Sequence, residues 1–123
     1  MSRYFKSEEF TCKCKRVECD AMTVVHLELL DRLDILRDLL KVPLIITSGL
    51  RCAFWNDHEG GIKDSEHLAG EAVDVACGTS GERWRMIKYA PRAGFHRMGV
   101  GKTFVHLDIS PTKMQNVVWL YGG

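Results

Sequence analysis

Two polar stretches, far apart in the chain, restrict most strongly what this sequence can fold into. Ser65-Glu66-His67-Leu68-Ala69-Gly70-Glu71-Ala72-Val73-Asp74 sets an imidazole and a carboxylate seven residues apart, with small residues between them. Phe104-Val105-His106-Leu107-Asp108 carries a second imidazole on a stretch that reads as a strand. Residues two apart on a strand share a face, so His106 and Asp108 project together, as do Asp74 and Ala76 on their own strand. His67 lies in the turn before Asp74 and can fold back toward it. Two imidazoles and one carboxylate are ordinary zinc ligands. They leave the fourth position of a tetrahedral ion open, which separates catalytic from closed structural sites. The competing reading is that these are unrelated polar residues at strand ends.

The 123 residues suffice for one domain with a sizeable core. Net charge is +1, from 17 Lys+Arg against 16 Asp+Glu, which gives no electrostatic case for nucleic acid or an anionic membrane. No apolar run approaches the ~20 residues of a membrane span. Met1-Ser2-Arg3-Tyr4-Phe5-Lys6 lacks the apolar centre of a signal peptide, so synthesis in the cytoplasm is expected, with delivery by another route if the protein acts outside. Five cysteines (Cys12, Cys14, Cys19, Cys52, Cys77) are an odd number, which argues against a complete disulfide framework and fits a reducing compartment. Cys12, Cys14 and Cys19 could make a partial metal site with His26, or stand as free thiols in a turn. The CxC spacing is off the usual CxxC pattern.

Residues 1–20 read as an irregular cysteine-bearing arm, with Ser7–Phe10 a short turn tucking Phe5 and Phe10 onto the core. Residues 21–123 read as a single domain without repeats or linkers. The spacing of Met22, Val25, Leu29, Leu33, Leu36 and Leu40 predicts a helix over 21–41, ended by Pro43. Leu27, Leu30, Ile35 and Leu39 widen its stripe to two sides. His26 would sit within that helix, near its exposed or core edge. Leu44–Thr47 reads as a buried strand, 52–66 as a long loop around Gly60-Gly61, and Ala72–Ala76 as a second strand. Thr79 and Glu82 have capping-box spacing before a helix to about Tyr89, closed by Pro91 and Gly94. Met98–Gly101, Thr103–Ile109 and Val117–Tyr121 read as three more strands. The class is α+β, a small, mostly antiparallel sheet flanked by helices.

Arg51, just after a strand, offers a planar fork that can clamp a carboxylate, or it makes a surface salt bridge. Asn56, Asp57 and His58 are loop candidates for the site. His96 is a lone imidazole and a candidate for proton transfer. Trp55, Trp84 and Trp119 read as core or cleft wall.

In these residues the chain resembles the zinc D-alanyl-D-alanine carboxypeptidase and endolysin family of metallopeptidases, whose zinc-site fold is shared with the hedgehog signalling domain. The resemblance rests on Glu9-Phe10-Thr11-Cys12, on Ser48-Gly49-Leu50-Arg51 with Leu50 where the family has Tyr, and on Asn56 with Gly60-Gly61. It rests further on Ser65, His67, Gly70, Ala72 and Asp74, and on Phe104, Val105, His106 and Asp108. It implies one zinc held by His67, Asp74 and His106, and Arg51 near the substrate carboxylate or the developing oxyanion. The implied reaction is hydrolysis of a peptide bond in the peptidoglycan stem; a monomer acting on the cell wall after release is the accompanying expectation. Carboxypeptidase and L-alanyl-D-glutamate endopeptidase are both open.

Three positions depart from the family. Gly101 stands where a Tyr or His often precedes the last ligand, Thr103 where other branches place a catalytic Glu, and Trp55 where a His precedes the loop Asn. The general base is therefore assigned from the residues alone. Asp108 comes first, either as the base or as the partner that orients a ligand, and His96 comes second. The rival function is a non-catalytic, zinc-stabilised structural or binding module of a phage particle.

Overall fold

The computed structural model describes residues 2–122; Met1 and Gly123, the outer ends of the expected arm and domain, lie outside it. The first helix, α1 (Leu27–Leu40), buries Leu29, Leu33, Leu36 and Leu40 at spacings of four, three and four. Leu33→Ala, at a fully buried position, would cost about 2–5 kcal/mol. The helix starts later than position 21. The His26 N–H donates to the Gly70 carbonyl at 2.8 Å, and its Nδ1 accepts the Glu28 N–H at 3.3 Å. That tie to a distant loop holds His26 extended as the helix cap. Val25 is buried from the irregular segment before the helix, and Met22 stays exposed. The stripe widens through Leu30 and Leu39 only, since Leu27 and Ile35 face solvent. Lys41 ends the helix in the left-handed region at φ 61°.

Five strands form one mixed sheet: β1 (Ile46–Ser48), β2 (Ala72–Ala76), β3 (Arg97–Val100), β4 (Phe104–Asp108) and β5 (Val117–Leu120). Their order is β1-β2-β4-β3-β5, antiparallel except for the parallel β3–β5 pair. Side chains alternate between the two faces. Val73, Val75, Val105, Leu107 and Met98 face the core beneath α1 and α3 (Ser80–Tyr89), with Met86, Ala90 and Phe95. The expected capping box is present, with Thr79 Oγ1 accepting the Glu82 N–H at 3.1 Å. Trp84 on α3 is exposed, neither core nor cleft wall.

The expected loop at 52–66 contains a short helix, α2 (Ala53–His58), capped by Cys52 Sγ. Six residues are too few to display a helical period. The arm's Ser7–Phe10 turn is 3-10, and Phe10 is buried. Gly49 is required there, because a Cβ would come within 2.8 Å of the Phe10 Cα. No described helix is long and apolar enough to cross a membrane.

Candidate metal centre

The register of the sheet builds the centre. Ser48 lies beside Asp74, Asp74 beside His106, and His106 beside Gly99, which itself lies beside Trp119. One row across the sheet therefore carries Asp74 and His106 on the face opposite the core. A second row, two residues along, pairs Ala72 with Asp108 and Asp108 with Arg97. His67 arrives from the turn before β2. Gly70, at φ 70°, completes that turn, and the Glu71 N–H returns to the Glu66 carbonyl at 3.0 Å.

Asp74 Oδ1 lies 3.2 Å from His67 Nε2 and 3.1 Å from His106 Nδ1. Zinc bonds of ~2.0–2.1 Å at tetrahedral angles separate ligand atoms by roughly 3.3 Å, so these spacings match edges of a coordination tetrahedron. The outer side of each imidazole is also fixed. His67 Nδ1 sits 2.7 Å from the Gly49 carbonyl and His106 Nε2 sits 2.8 Å from Asp108 Oδ2. Both partners only accept, so each of those nitrogens carries the proton. A neutral imidazole then turns a lone pair toward Asp74 Oδ1, which brings lone pairs together at one oxygen. Two buried imidazolium ions would relieve this at a large desolvation cost, with His67 at 2% and His106 at 4% exposure. A divalent cation relieves it directly. The donor set thus fits a metal held by His67, Asp74 and His106.

In the metal-free protein, once the imidazoles carry protons toward Asp74 Oδ1, burial pushes the Asp74 carboxyl upward but the hydrogen bonds from His106 and His67 outweigh this and hold it well below the usual carboxylate range. For His106, burial lowers the imidazolium pKa, yet the Asp108 and Asp74 carboxylates more than reverse it and the net direction is up. Asp74 Oδ2 accepts Arg51 Nη2 at 3.2 Å. Arg51 also donates through Nε to Ser48 Oγ at 3.1 Å and through Nη1 to Asn56 Oδ1 at 3.2 Å. Arg51 is buried, so it is a fixed brace of the centre and not a surface pair.

Asp108 lies behind His106. Oδ2 takes the His106 Nε2–H, and Oδ1 takes Arg97 Nε at 2.7 Å and the Ser110 N–H at 3.1 Å. Its side chain is fully enclosed. This is the position of a group that orients a ligand. His96 is exposed, bonds Asn116 at 3.1 Å, and borders a separate hollow with Pro91 and Val117, away from the metal centre. Of the loop candidates, Asn56 is buried against Arg51, whereas Asp57 and His58 are exposed and do not line the cleft.

The centre forms the floor of a cleft of about 540 Å³, walled by Glu59–Ile62, Phe104, Trp119 and Tyr121 among others. A sequence model described as Peptidase M15 matches residues 3–108. The chain belongs to the M15 peptidases. No curated protein matches it. The family makes this chain a metallopeptidase, and M15 peptidases are in general zinc-dependent. The α+β fold and the convergence of His67, Asp74 and His106 accord with that membership.

In this M15 peptidase the cleft and the centre also gather residues that sequence reasoning passed over. Glu66, in a variable slot of the Ser65–Asp74 stretch, is buried on the cleft wall. It pairs with Lys113 Nζ at 2.5 Å, and a carboxylate oxygen lies within 4.8 Å of a His106 ring nitrogen. Arg97 braces Asp108 and donates to the Met114 carbonyl at 2.7 Å. Tyr121 brings a phenol into the cleft, its ring centre 6.4 Å from that of His106. A Cβ at Gly101 would fall 2.2 Å from the Phe104 ring, so any side chain there requires that ring to move. A Glu between two motif residues was the one readable signal for this group. The others depend on strand register.

Proposed function

We propose that this M15 peptidase hydrolyses a peptide bond in the peptidoglycan stem, with zinc held by His67, Asp74 and His106. The observation that carries the reading is the convergence of three fixed donors on the floor of an open cleft. A closed structural site would have a fourth protein ligand, and none of the described side chains completes one around Asp74 Oδ1. That favours the enzyme over a metal-stabilised module. A zinc ion there would supply Lewis-acid chemistry, polarising the scissile carbonyl and bringing the pKa of water toward ~7.

The remaining work falls to the chain. Gly49 and Asp108 hold the imidazoles with their donor nitrogens inward. Arg51 keeps Asp74 in place and, beyond the three hydrogen bonds it makes, retains N–H groups for a carboxylate or oxyanion in the cleft it lines. In this reading Glu66, buried on the cleft wall and held by Lys113, accepts the proton of the attacking water and returns it to the leaving amine. Tyr121 offers a neutral phenol donor from the cleft lining.

Zinc-loaded protein should release D-alanine from a stem pentapeptide, or split the L-alanyl-D-glutamate bond, as read by mass spectrometry. Full zinc occupancy with neither product would overturn this reading in favour of the non-catalytic module.

A further inference from the structure

Four thiols gather away from the cleft. Cys12, Cys14 and Cys19 come from the arm, and Cys52 follows Arg51 at the cap of α2. One sulfur from each lies within 4.8 Å of the others, and all four are unoxidised. Cys12 Sγ and Cys52 Sγ stand 3.7 Å apart. A disulfide would hold them at ~2.05 Å. A zinc tetrathiolate with bonds of ~2.3 Å has an edge of roughly 3.8 Å, which is the separation observed.

The backbone is arranged for anionic sulfur. The Cys52 N–H donates to Cys12 Sγ, the Arg16 N–H to Cys14 Sγ and the Trp55 N–H to Cys52 Sγ, each at 3.4 Å. Lys13, Lys15 and Arg16 in the same loop offset the charge of a dianionic centre. His26, the ligand the sequence offered, is not in the group. It caps α1, and Cys52 supplies the fourth sulfur.

The arm also needs such a tie. From Thr11 to Val24 no residue is buried, and Val17 is fully exposed. Ordering costs about 1–2 kcal/mol per residue, and this segment buries no apolar side chain to offset it.

We propose that Cys12, Cys14, Cys19 and Cys52 form a second metal site, a closed tetrathiolate that binds zinc and fastens the N-terminal arm to the segment bracing the catalytic centre. Binding replaces four S–H protons, released to solvent, by four S–metal bonds, with no change of oxidation state. With no open position, the site is structural. Its load path is short. The Leu50 N–H donates to the Phe10 carbonyl at 2.8 Å, the Gly49 carbonyl fixes His67, and Arg51 fixes Asp74. The site stands whether or not the cleft hydrolyses peptides.

Metal analysis of protein purified without chelators should give two zinc per wild-type chain. His67→Ala and the double variant Cys14→Ser/Cys19→Ser should each retain one. X-ray absorption on His67→Ala should show sulfur neighbours alone at ~2.3 Å. Trypsin should cut at Lys13, Lys15 and Arg16 in the double variant and spare them in the wild type. If the double variant does not fold, the His67→Ala zinc count and its sulfur shell still decide. A zinc-free His67→Ala protein, nitrogen or oxygen neighbours in its zinc shell, or a Cys12–Cys52 disulfide in the freshly isolated wild type would each overturn the proposal.

Discussion

Asp108→Asn tests whether Asp108 orients His106 or moves the proton itself. Three donors point at this enclosed carboxylate: His106 Nε2, Arg97 Nε and the Ser110 N–H. An amide has one accepting oxygen, so it cannot serve both ends. Keeping the oxygen on Arg97 and Ser110 satisfies two donors and turns the NH2 toward His106 Nε2. His106 must then accept at Nε2 and carry its proton on Nδ1, the nitrogen that faces Asp74 Oδ1. The opposite amide orientation keeps the His106 tautomer but strands two buried donors, at about 1–3 kcal/mol each. The first arrangement is the cheaper. Zinc affinity should therefore fall roughly 10–100-fold, which is about 1.4–2.7 kcal/mol at tenfold per 1.4. Competition against a chromophoric chelator measures the affinity, and nitrogen-detected imidazole resonances read the tautomer. Unchanged zinc affinity and an unchanged tautomer, with turnover abolished, would refute the reasoning and make Asp108 the base.

Arg51→Lys keeps a charge but loses the fork that reaches Ser48, Asn56 and Asp74. We expect kcat/KM on stem peptides to drop about 10²–10³-fold, together with a lower melting temperature, and equal values of both would show the fork to be idle. Glu66→Gln should retain full zinc by metal analysis while kcat falls about 10²–10⁴-fold; wild-type turnover would remove Glu66 from proton transfer. In the metal-free protein, the raised pKa of His106 supplies stability that is complete below the ordinary 6.5 and is lost as pH climbs through the raised value. The lowered pKa of Asp74 supplies stability present above the ordinary 3.8 and lost as pH falls below it. Melts in chelator should accordingly peak between those limits and decline toward alkaline pH, and added zinc should remove the alkaline decline; a chelated protein that gains stability above neutrality would contradict the assignment.

Local patterns carried much of the fold. The leucine spacing marks the buried face of α1, and the Thr79–Glu82 pair marks the start of α3, because both are interactions between near neighbours. The start of α1 was unreadable because it depends on a bond from His26 to Gly70, 44 positions away in the numbering. α2 was hidden for a different reason: its one buried residue, Asn56, is polar and is held by Arg51.

The same distinction runs through the centre. Asp74 and Asp108 are both aspartates on outward-facing strand positions, each in contact with His106, and composition cannot separate a ligand from the group behind it. The strand register does. Asp74 lies where the His67 turn brings a second imidazole nitrogen to the same oxygen, so its carboxylate meets two inward lone pairs. Asp108 lies opposite Arg97, two residues along β4, where a guanidinium and a backbone N–H already occupy its other oxygen. A cation is needed at the first aspartate and is already supplied at the second. That difference in charge compensation, set by which residue β3 places opposite Asp108, is what puts the metal on one side of His106 and its brace on the other.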